Sequence, residues 1–383
     1  MKKKIVALAV TAAFTAPALA DNINVNWYGK VSLNAESVKN DGIVAPSTTK
    51  NSAVRVLSNA SRLGVKGSED LGDGLKGIYQ LEVQVDGDGS GKNGFAAGTR
   101  NTGVGLDGGF GKLIVGVWDT PFKVAHNKVE LFDNASSFTA LNLIGHAGGS
   151  GATLKAGSWN ATGTAWTADD KVAGTPNYNT RDDKVVAYWT PKFGSFQGAV
   201  TYGSDAAPTT TTSKNNLSLS GTFEQEGIYA SVAYENRPDA TTARTTDTGL
   251  RAVGRYDIGD AWLGATYESI KVNRSATVSY IQHNLELAGQ YQLGSNKIGL
   301  SYVKAGETNV TADGATQISL RFGHDFSKRT EVFAAYTSLR NNAVDTAVAG
   351  SGGKYTLGNA YGSAAQQTGS TQTAIGAGVI HSF

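Results

Sequence analysis

The chain has 383 residues, with 34 basic and 32 acidic side chains, 48 glycines, 15 tyrosines, 13 phenylalanines, no cysteine and a single methionine, the initiator. So even a charge balance excludes the basic face or tail of a nucleic-acid binder, and the absence of cysteine leaves pairing and packing to hold the fold. Glycine suits turns, and aromatic and β-branched residues suit pleated surfaces, so the composition leans toward strands.

The first segment reads as an export leader. Lys2, Lys3 and Lys4 form a positive head, Ile5 to Ala16 an apolar stretch, and Ala18-Leu19-Ala20 a small-x-small cleavage site. Residues 1–20 are expected to be a signal peptide and residues 21–383 a single domain. Without the three leader lysines, 31 basic residues stand against 32 acidic ones, a net charge of −1. A membrane-anchoring helix is disfavoured because the apolar stretch is short, interrupted by Thr11 and Thr15, and closed by Pro17. Beyond Asp21 no stretch reaches the roughly 18 apolar residues of a spanning helix. An exported chain of this kind is either a soluble β-rich protein or a closed barrel, which satisfies every backbone polar group in lipid.

Alternation with period two, bounded by turn residues, predicts sixteen strands. They fall near 23–35, 52–67, 74–86, 96–107, 110–118, 181–190, 195–203, 216–224, 227–235, 248–257, 260–270, 280–293, 296–304, 316–324, 329–338 and 372–383. Most have about the 9 to 11 residues that a tilted strand needs to cross a bilayer. Their connections alternate between tight turns, such as Asp107-Gly108-Gly109 and Gly294-Ser295, and long segments, of which 119–180 is the longest. A β-sandwich has no reason to obey this rule, whereas membrane barrels have short turns at one rim and long loops at the other.

Alternation also separates two faces. Ile228, Ala230, Val232 and Tyr234 oppose Tyr229, Ser231 and Glu235; Leu285, Leu287, Gly289 and Tyr291 oppose Glu286 and Gln290; Ile318, Leu320 and Phe322 oppose Ser319 and Arg321. Charge stays on the second face. Aromatic residues recur near strand ends, at Trp27, Tyr28, Tyr188, Trp189, Tyr256, Trp262, Tyr291, Tyr302 and Phe322, as interfacial girdles require.

Three lures lead nowhere chemical. Gly72 to Gly77 satisfies G-x-G-x-x-G but joins two strands and opens no helix. Asp86, Asp88, Ser90 and Gly91 imitate a calcium loop, yet Ala97 stands where its bidentate Glu belongs. The five histidines lack zinc spacing, and His324 and Asp325, adjacent in a strand, point to opposite faces. With no nucleophile and base arranged together, neither an enzyme nor a cofactor is expected.

Several stretches resemble the general porins of Gram-negative bacteria, especially the β-proteobacterial and neisserial branch. They are SRLGVKGSEDLGDGLKG from Ser61 to Gly77, WYGKVSLN from Trp27 to Asn34, GL-x-x-x-FG-x-L within Arg100 to Leu113, Asp119-Thr120-Pro121, and the closing HSF. The resemblance spans nearly the whole mature chain. It implies an all-β fold, a 16-stranded antiparallel transmembrane barrel with a long third loop folded into the lumen, located in the bacterial outer membrane. It further implies passive diffusion of small hydrophilic solutes and ions, a homotrimer set among outer-membrane lipid and lipopolysaccharide, and a terminal Phe383 read by the barrel-assembly machinery.

A diffusion pore needs opposite charges facing each other across water. By position within the matching motifs, the resemblance puts Arg62, Arg100 and Arg181 on the wall and carboxylates on the third loop. Arg62 is out of phase with Leu63 and Val65, and Arg181 with Tyr188, so both point inward; Arg100 shares phase with Val104 and Leu106 and requires a bulge near Gly103 or Gly105. Glu130 and Asp133 are the loop candidates, either lining the pore or standing as solvated loop charges. Asp119 reads as a turn former before Thr120-Pro121. Arg251, Arg255 and Arg321 on inward phases keep an anion-selective or oligosaccharide channel open as an alternative, and a surface adhesin is the remaining one.

Overall fold

Period-two alternation carries through into sixteen strands arranged as one closed antiparallel barrel. The computed structural model describes residues 24–41, 52–89, 95–132, 136–147, 157–159, 166–168, 177–210, 212–239, 245–273, 279–308, 314–342, 355–357 and 369–383. The expected leader and Asp133 lie outside these residues.

The first half of the wall comprises β1 (Asn24–Asn40), β2 (Ser52–Ser58 and Arg62–Gly72), β3 (Leu75–Val85), β4 (Phe95–Thr99 and Thr102–Gly108), β5 (Gly111–Asp119), β6 (Arg181–Trp189), β7 (Phe196–Gly203) and β8 (Asn216–Gln225). The second half comprises β9 (Ile228–Pro238), β10 (Thr246–Ile258), β11 (Ala261–Asn273), β12 (Ser279–Leu293), β13 (Asn296–Ala305), β14 (Ala315–Asp325), β15 (Thr330–Asn341) and β16 (Thr371–Ser382). Each strand pairs with the next, and β16 returns to β1 over a ladder from Lys30↔Ser382 to Asn40↔Gln372, which leaves no open edge. A separate hairpin pairs Gly157–Trp159 with Trp166–Ala168. No helix among the described residues is long and apolar enough to cross a membrane.

Two strands depart most from their expected ends. β1 runs to Asn40, past residue 35, because its upper half is flanked by ladders on both sides, from Ser52–Ser58 and from β16. β2 runs to Gly72, past residue 67, entering its turn through a bulge between Asp70 and Gly72. It also breaks at residues 59–61, where Ala60 takes φ 49°; the Asn59 amide donates to Asn34 Oδ1 at 2.6 Å, Ser61 Oγ accepts from Ser32 N at 2.9 Å, and Asn59 N donates to Ser32 O at 2.8 Å.

The wall is apolar outside and polar inside. Along β9, Ile228 and Val232 are 44% and 55% exposed while Ser231 and Glu235 are buried; along β12, Leu285 and Leu287 are exposed while Gln282, Asn284 and Glu286 are buried. An exposed oily belt on a shell with a shielded polar face inverts the soluble pattern and fits a lipid surround. The aromatic expectation divides: Trp27, Tyr256, Tyr291 and Phe322 lie exposed on the outer face, whereas Trp262 is buried and Tyr28 shares the phase of inward Lys30 and Ser32. Aromatic residues serve both surfaces of a pleated sheet, so position near a strand end does not decide the face.

Candidate functional site

The long connection after β5 is fixed to the polar face of the sheet. Thr120 opens it: its hydroxyl accepts from Lys123 N at 3.2 Å, and Pro121 stands at the first position of a short helix, α1 (Pro121–Ala125). Two 3₁₀ turns follow, His126–Lys128 and Ala140–Asn142. Phe122 N donates to Ser218 Oγ at 3.1 Å and its carbonyl accepts from Arg251 at 2.8 Å. Arg251, wholly buried, pairs with Glu268 at 2.8 Å, and Glu268 in turn accepts from Gly145 N at 2.5 Å. Asn142 donates to Gln317 at 3.3 Å and Arg55 to Ser137 Oγ at 2.9 Å. Val129 sits over Gly264 so closely that a Cβ there would lie 2.5 Å from its Cγ1. The connection buries Phe122, Val129, Leu131, Phe132, Phe138, Leu143 and Ile144 in the principal apolar cluster.

His126 carries the firmest of these anchors, with Nε2 2.5 Å from Glu286 Oε2. Burial favours the neutral imidazole, but the Glu286 carboxylate outweighs it and holds the His126 pKa above its ordinary value. Glu130 shows the reverse. Burial, reinforced by Glu286, pushes its carboxyl up to about 7 against the pull of His126. Its oxygens accept from Phe132 N at 2.8 Å and Thr139 Oγ1 at 2.7 Å.

Between this connection and the wall of β2 to β5 lies a cavity of about 890 Å³. Arg62, Arg100, Lys123, Glu82, Asp119 and Glu130 all line it, with Lys30 and Arg321 farther round the barrel. Glu82 is shared: it pairs with Arg100 at 2.6 Å, lies 3.8 Å from Arg62, and accepts from the Tyr28 hydroxyl at 3.0 Å. Asp119 is shared likewise, with Lys123 at 2.6 Å and Arg181 at 3.1 Å. Asn101, next to Arg100 in the chain, joins the second group, accepting from Arg181 Nε at 2.8 Å and donating to Asp119 at 3.0 Å.

Apart from Asp133, which lies outside the described residues, each expected wall and loop residue has a definite place. Arg62 reaches the cavity on unbroken alternation. Arg100 reaches it through a bulge, but the irregularity sits at Arg100-Asn101 and not at Gly103 or Gly105: β3 advances three residues from Gln80 to Val83 while β4 spends four from Gly103 to Thr99. The glycines stay in regular register, where Gly105 lies against the β5 backbone. Arg181 stands one layer behind, on Asp119 and Asn101; a bulge between Asp182 and Val185, with Lys184 at φ 55°, interrupts the count to Tyr188. Asp119, read as a turn former, is instead the last strand residue and a charge partner. Glu130 is shielded and faces the cavity. Arg251, read as a lumen charge, is consumed in anchoring the connection, and Arg255 donates to Lys128 O at 2.7 Å and pairs with Asp257 at 2.8 Å. Sequence reasoning missed Glu82 and Asn101; Glu82 was visible in the alternation of Lys76, Ile78, Gln80, Glu82 and Gln84, which puts it in phase with the inner face.

Residues 7–344 match the Gram-negative porin family. The chain belongs to that family. Among similar proteins, outer membrane porin protein 32 of Delftia acidovorans is 28% identical over all of both chains, and the major outer membrane protein P.IB of Neisseria sicca is 25% identical over 88% of this chain and 93% of its own. The fold is shared with an anion-selective porin from Comamonas acidovorans, with TM-score 0.73 and 23% identity over 94% of this chain and 100% of that one. It is shared more distantly with the trimer form of OmpT from Vibrio cholerae, with TM-score 0.60 and 18% identity over 95% and 100%. The porin is thus an outer-membrane channel for passive diffusion of small hydrophilic solutes, and its relatives are channels and not enzymes.

Proposed function

We propose that the third loop, residues 120–180, narrows the lumen of this porin, and that the charged cavity is the zone where solutes are sorted. Arg62 and Arg100 supply the wall charge, Arg181 supports them through Asp119 and Asn101, and Glu130 supplies the loop side, with Asp133 as a further loop carboxylate. The observation that carries this reading is the meeting of Arg62, Arg100, Glu82 and Glu130 around one cavity beside an anchored loop. Opposed charges across confined water set a field that polar solutes tolerate and apolar ones do not. The test is a planar-bilayer recording in a salt gradient. Arg62→Glu shifts the reversal potential toward cations; an unchanged potential in a folded variant removes Arg62 from the sorting zone.

A weak anion preference is favoured over strict neutrality. Glu82 and Asp119 are each divided between two cations, and the Glu130 carboxyl, raised to about 7, carries only part of its charge near neutral pH, while Asp86 and Asp88 line the same cavity and keep the preference weak. The Comamonas porin that shares this fold is anion-selective, which agrees in direction. Cleavage after Ala20, a homotrimer seated in lipid and lipopolysaccharide, and reading of Phe383 by the assembly machinery complete the proposal. Three-step closure of single insertions tests the trimer.

A further inference from the structure

Below the constriction, toward the short-turn rim, a second cavity of about 290 Å³ opens on the inner wall, lined among others by Lys66, Ile78, Lys112, Ile114 and Trp118. Its phase is fixed by Glu82: Ile78 lies four residues before it on β3, on the same face and about 13 Å along the strand. Ile78 and Ile114 face the same residue, Gly105, from its two neighbouring strands, and Ile114 is 5% exposed while adjacent Val115 is 50% exposed on the outer face. An apolar floor on the wet side of a channel wall departs from the general pattern of a polar interior.

Two cations border that floor. Lys112 Nζ lies 4.1 Å from the Trp189 ring centroid, and the Trp189 ring meets Trp118 edge-on at 5.8 Å. Lys66 Nζ lies 5.1 Å from the Tyr28 ring. Among the described residues neither lysine forms an ion pair. Asp107, opposite Lys112 in the β4–β5 register, is the nearest acid across the ladder and is itself exposed. Aromatic faces hold an ammonium without cancelling its charge, so both cations remain available to an anion. The cavity volume is at the lower edge of the roughly 300–1,000 Å³ found for ligand pockets, enough for one ring and its carboxylate.

We infer that this recess is a docking subsite for small aromatic carboxylates, with the carboxylate between Lys66 and Lys112 and the ring on Ile78, Ile114 and Trp118. The inference rests on the channel reading, because the site is reached from the lumen. A solute leaving the constriction would pause there, and its carboxylate would be recognised by charge while its ring displaced water from an apolar floor.

Benzoate and acetate, equal in charge and different in apolar body, separate this from simple ion attraction. In planar bilayers at fixed ionic strength, benzoate reduces chloride current at about tenfold lower concentration than acetate does. That tenfold advantage is the ring's burial on the apolar floor, while the Lys66→Gln/Lys112→Gln double variant removes the carboxylate's partners and so weakens block by both anions, abolishing benzoate block at concentrations that act on the wild type. Equal action of the two anions overturns the inference, as does full benzoate block in the double variant. A second readout is independent of conduction: in detergent, 4-nitrobenzoate quenches indole fluorescence at low occupancy, and Trp118→Leu reduces the saturable part. Quenching that does not saturate, or is unchanged in Trp118→Leu, also overturns it. The single variant Lys66→Gln, at an exposed position, covers a failure of the double variant to fold. Absence of any chloride current with saturable quenching intact would instead bring down the channel reading alone.

Discussion

Phe383 closes the ladder on Gly29. The two backbones exchange hydrogen bonds at 3.0 Å in both directions, and the Phe383 ring occupies the space a Gly29 side chain would fill, with Cζ 2.3 Å from the position of a Cβ. The Arg62 carbonyl lies 2.9 Å from that same position, so a side chain at residue 29 would press on the β2 backbone even if the ring moved aside. Gly29→Val is expected to block closure, leaving most of the protein in the unfolded band on an unheated denaturing gel. Phe383→Ala keeps the backbone bonds and loses only the ring, so a smaller folded fraction than wild type is expected, but not its absence.

Glu82 sits between Arg62 and Arg100, and removing its charge frees both. Glu82→Gln is expected to shift the reversal potential toward anions in a tenfold salt gradient, opposite in sign to Arg62→Glu. The shift shrinks as salt rises, since the Debye length falls from about 10 Å at 0.1 M to 3 Å at 1 M. A shift toward cations would show that Glu82 does not face the permeating ions.

Glu130 makes selectivity depend on pH. Burial, then Glu286, raise its pKa to about 7, so lowering the pH from 8 to 6 adds a proton and removes a negative charge from the cavity. Anion preference is therefore expected to grow as pH falls through 7, and Glu130→Gln to show the low-pH preference at both values. A pH response equal to wild type in that variant would assign the titration elsewhere.

Arg251 and His126 fasten the third loop. Arg251→Ala leaves Glu268 as a buried carboxylate without its cation, a change that typically costs about 3–5 kcal/mol. The expected readouts are a lower unfolding temperature and noisier, larger single-channel current from a loosened loop. His126 has a pKa raised in the fold, so its pairing with Glu286 contributes fully below the unfolded value near 6.5 and is lost as pH rises through the folded value. Open-channel noise is accordingly expected to increase at alkaline pH, and His126→Gln to remove that dependence.

Strands were legible because a wall one residue thick, with lipid on one side and water on the other, forces every second residue to choose a solvent. Ile228, Leu285 and Ile318 reveal their strands in this way. Arg62 could be placed by the same count, which also demanded a bulge for Arg100 but did not fix at which residues, while for Arg181 the extra residue between Asp182 and Val185 inverts the count to Tyr188 without a signature in composition. Asp119 and Arg251 were misjudged for a different reason. Their roles depend on partners distant in sequence, Arg181 and Glu268, and alternation along one strand carries no information about what packs on its face.

The seam between β1 and β16 joins opposite extremes of the polypeptide, Lys30 beside Ser382. Every other ladder in the wall unites consecutive strands, the widest gap being the third loop between β5 and β6, but this one spans nearly the whole chain. Contacts so remote in sequence are slow to form. Until they do, β1 presents a bare edge along its upper half, the kind of template on which chains stick to one another. A late step, and not the stability of the finished cylinder, is therefore where production of this protein is most vulnerable.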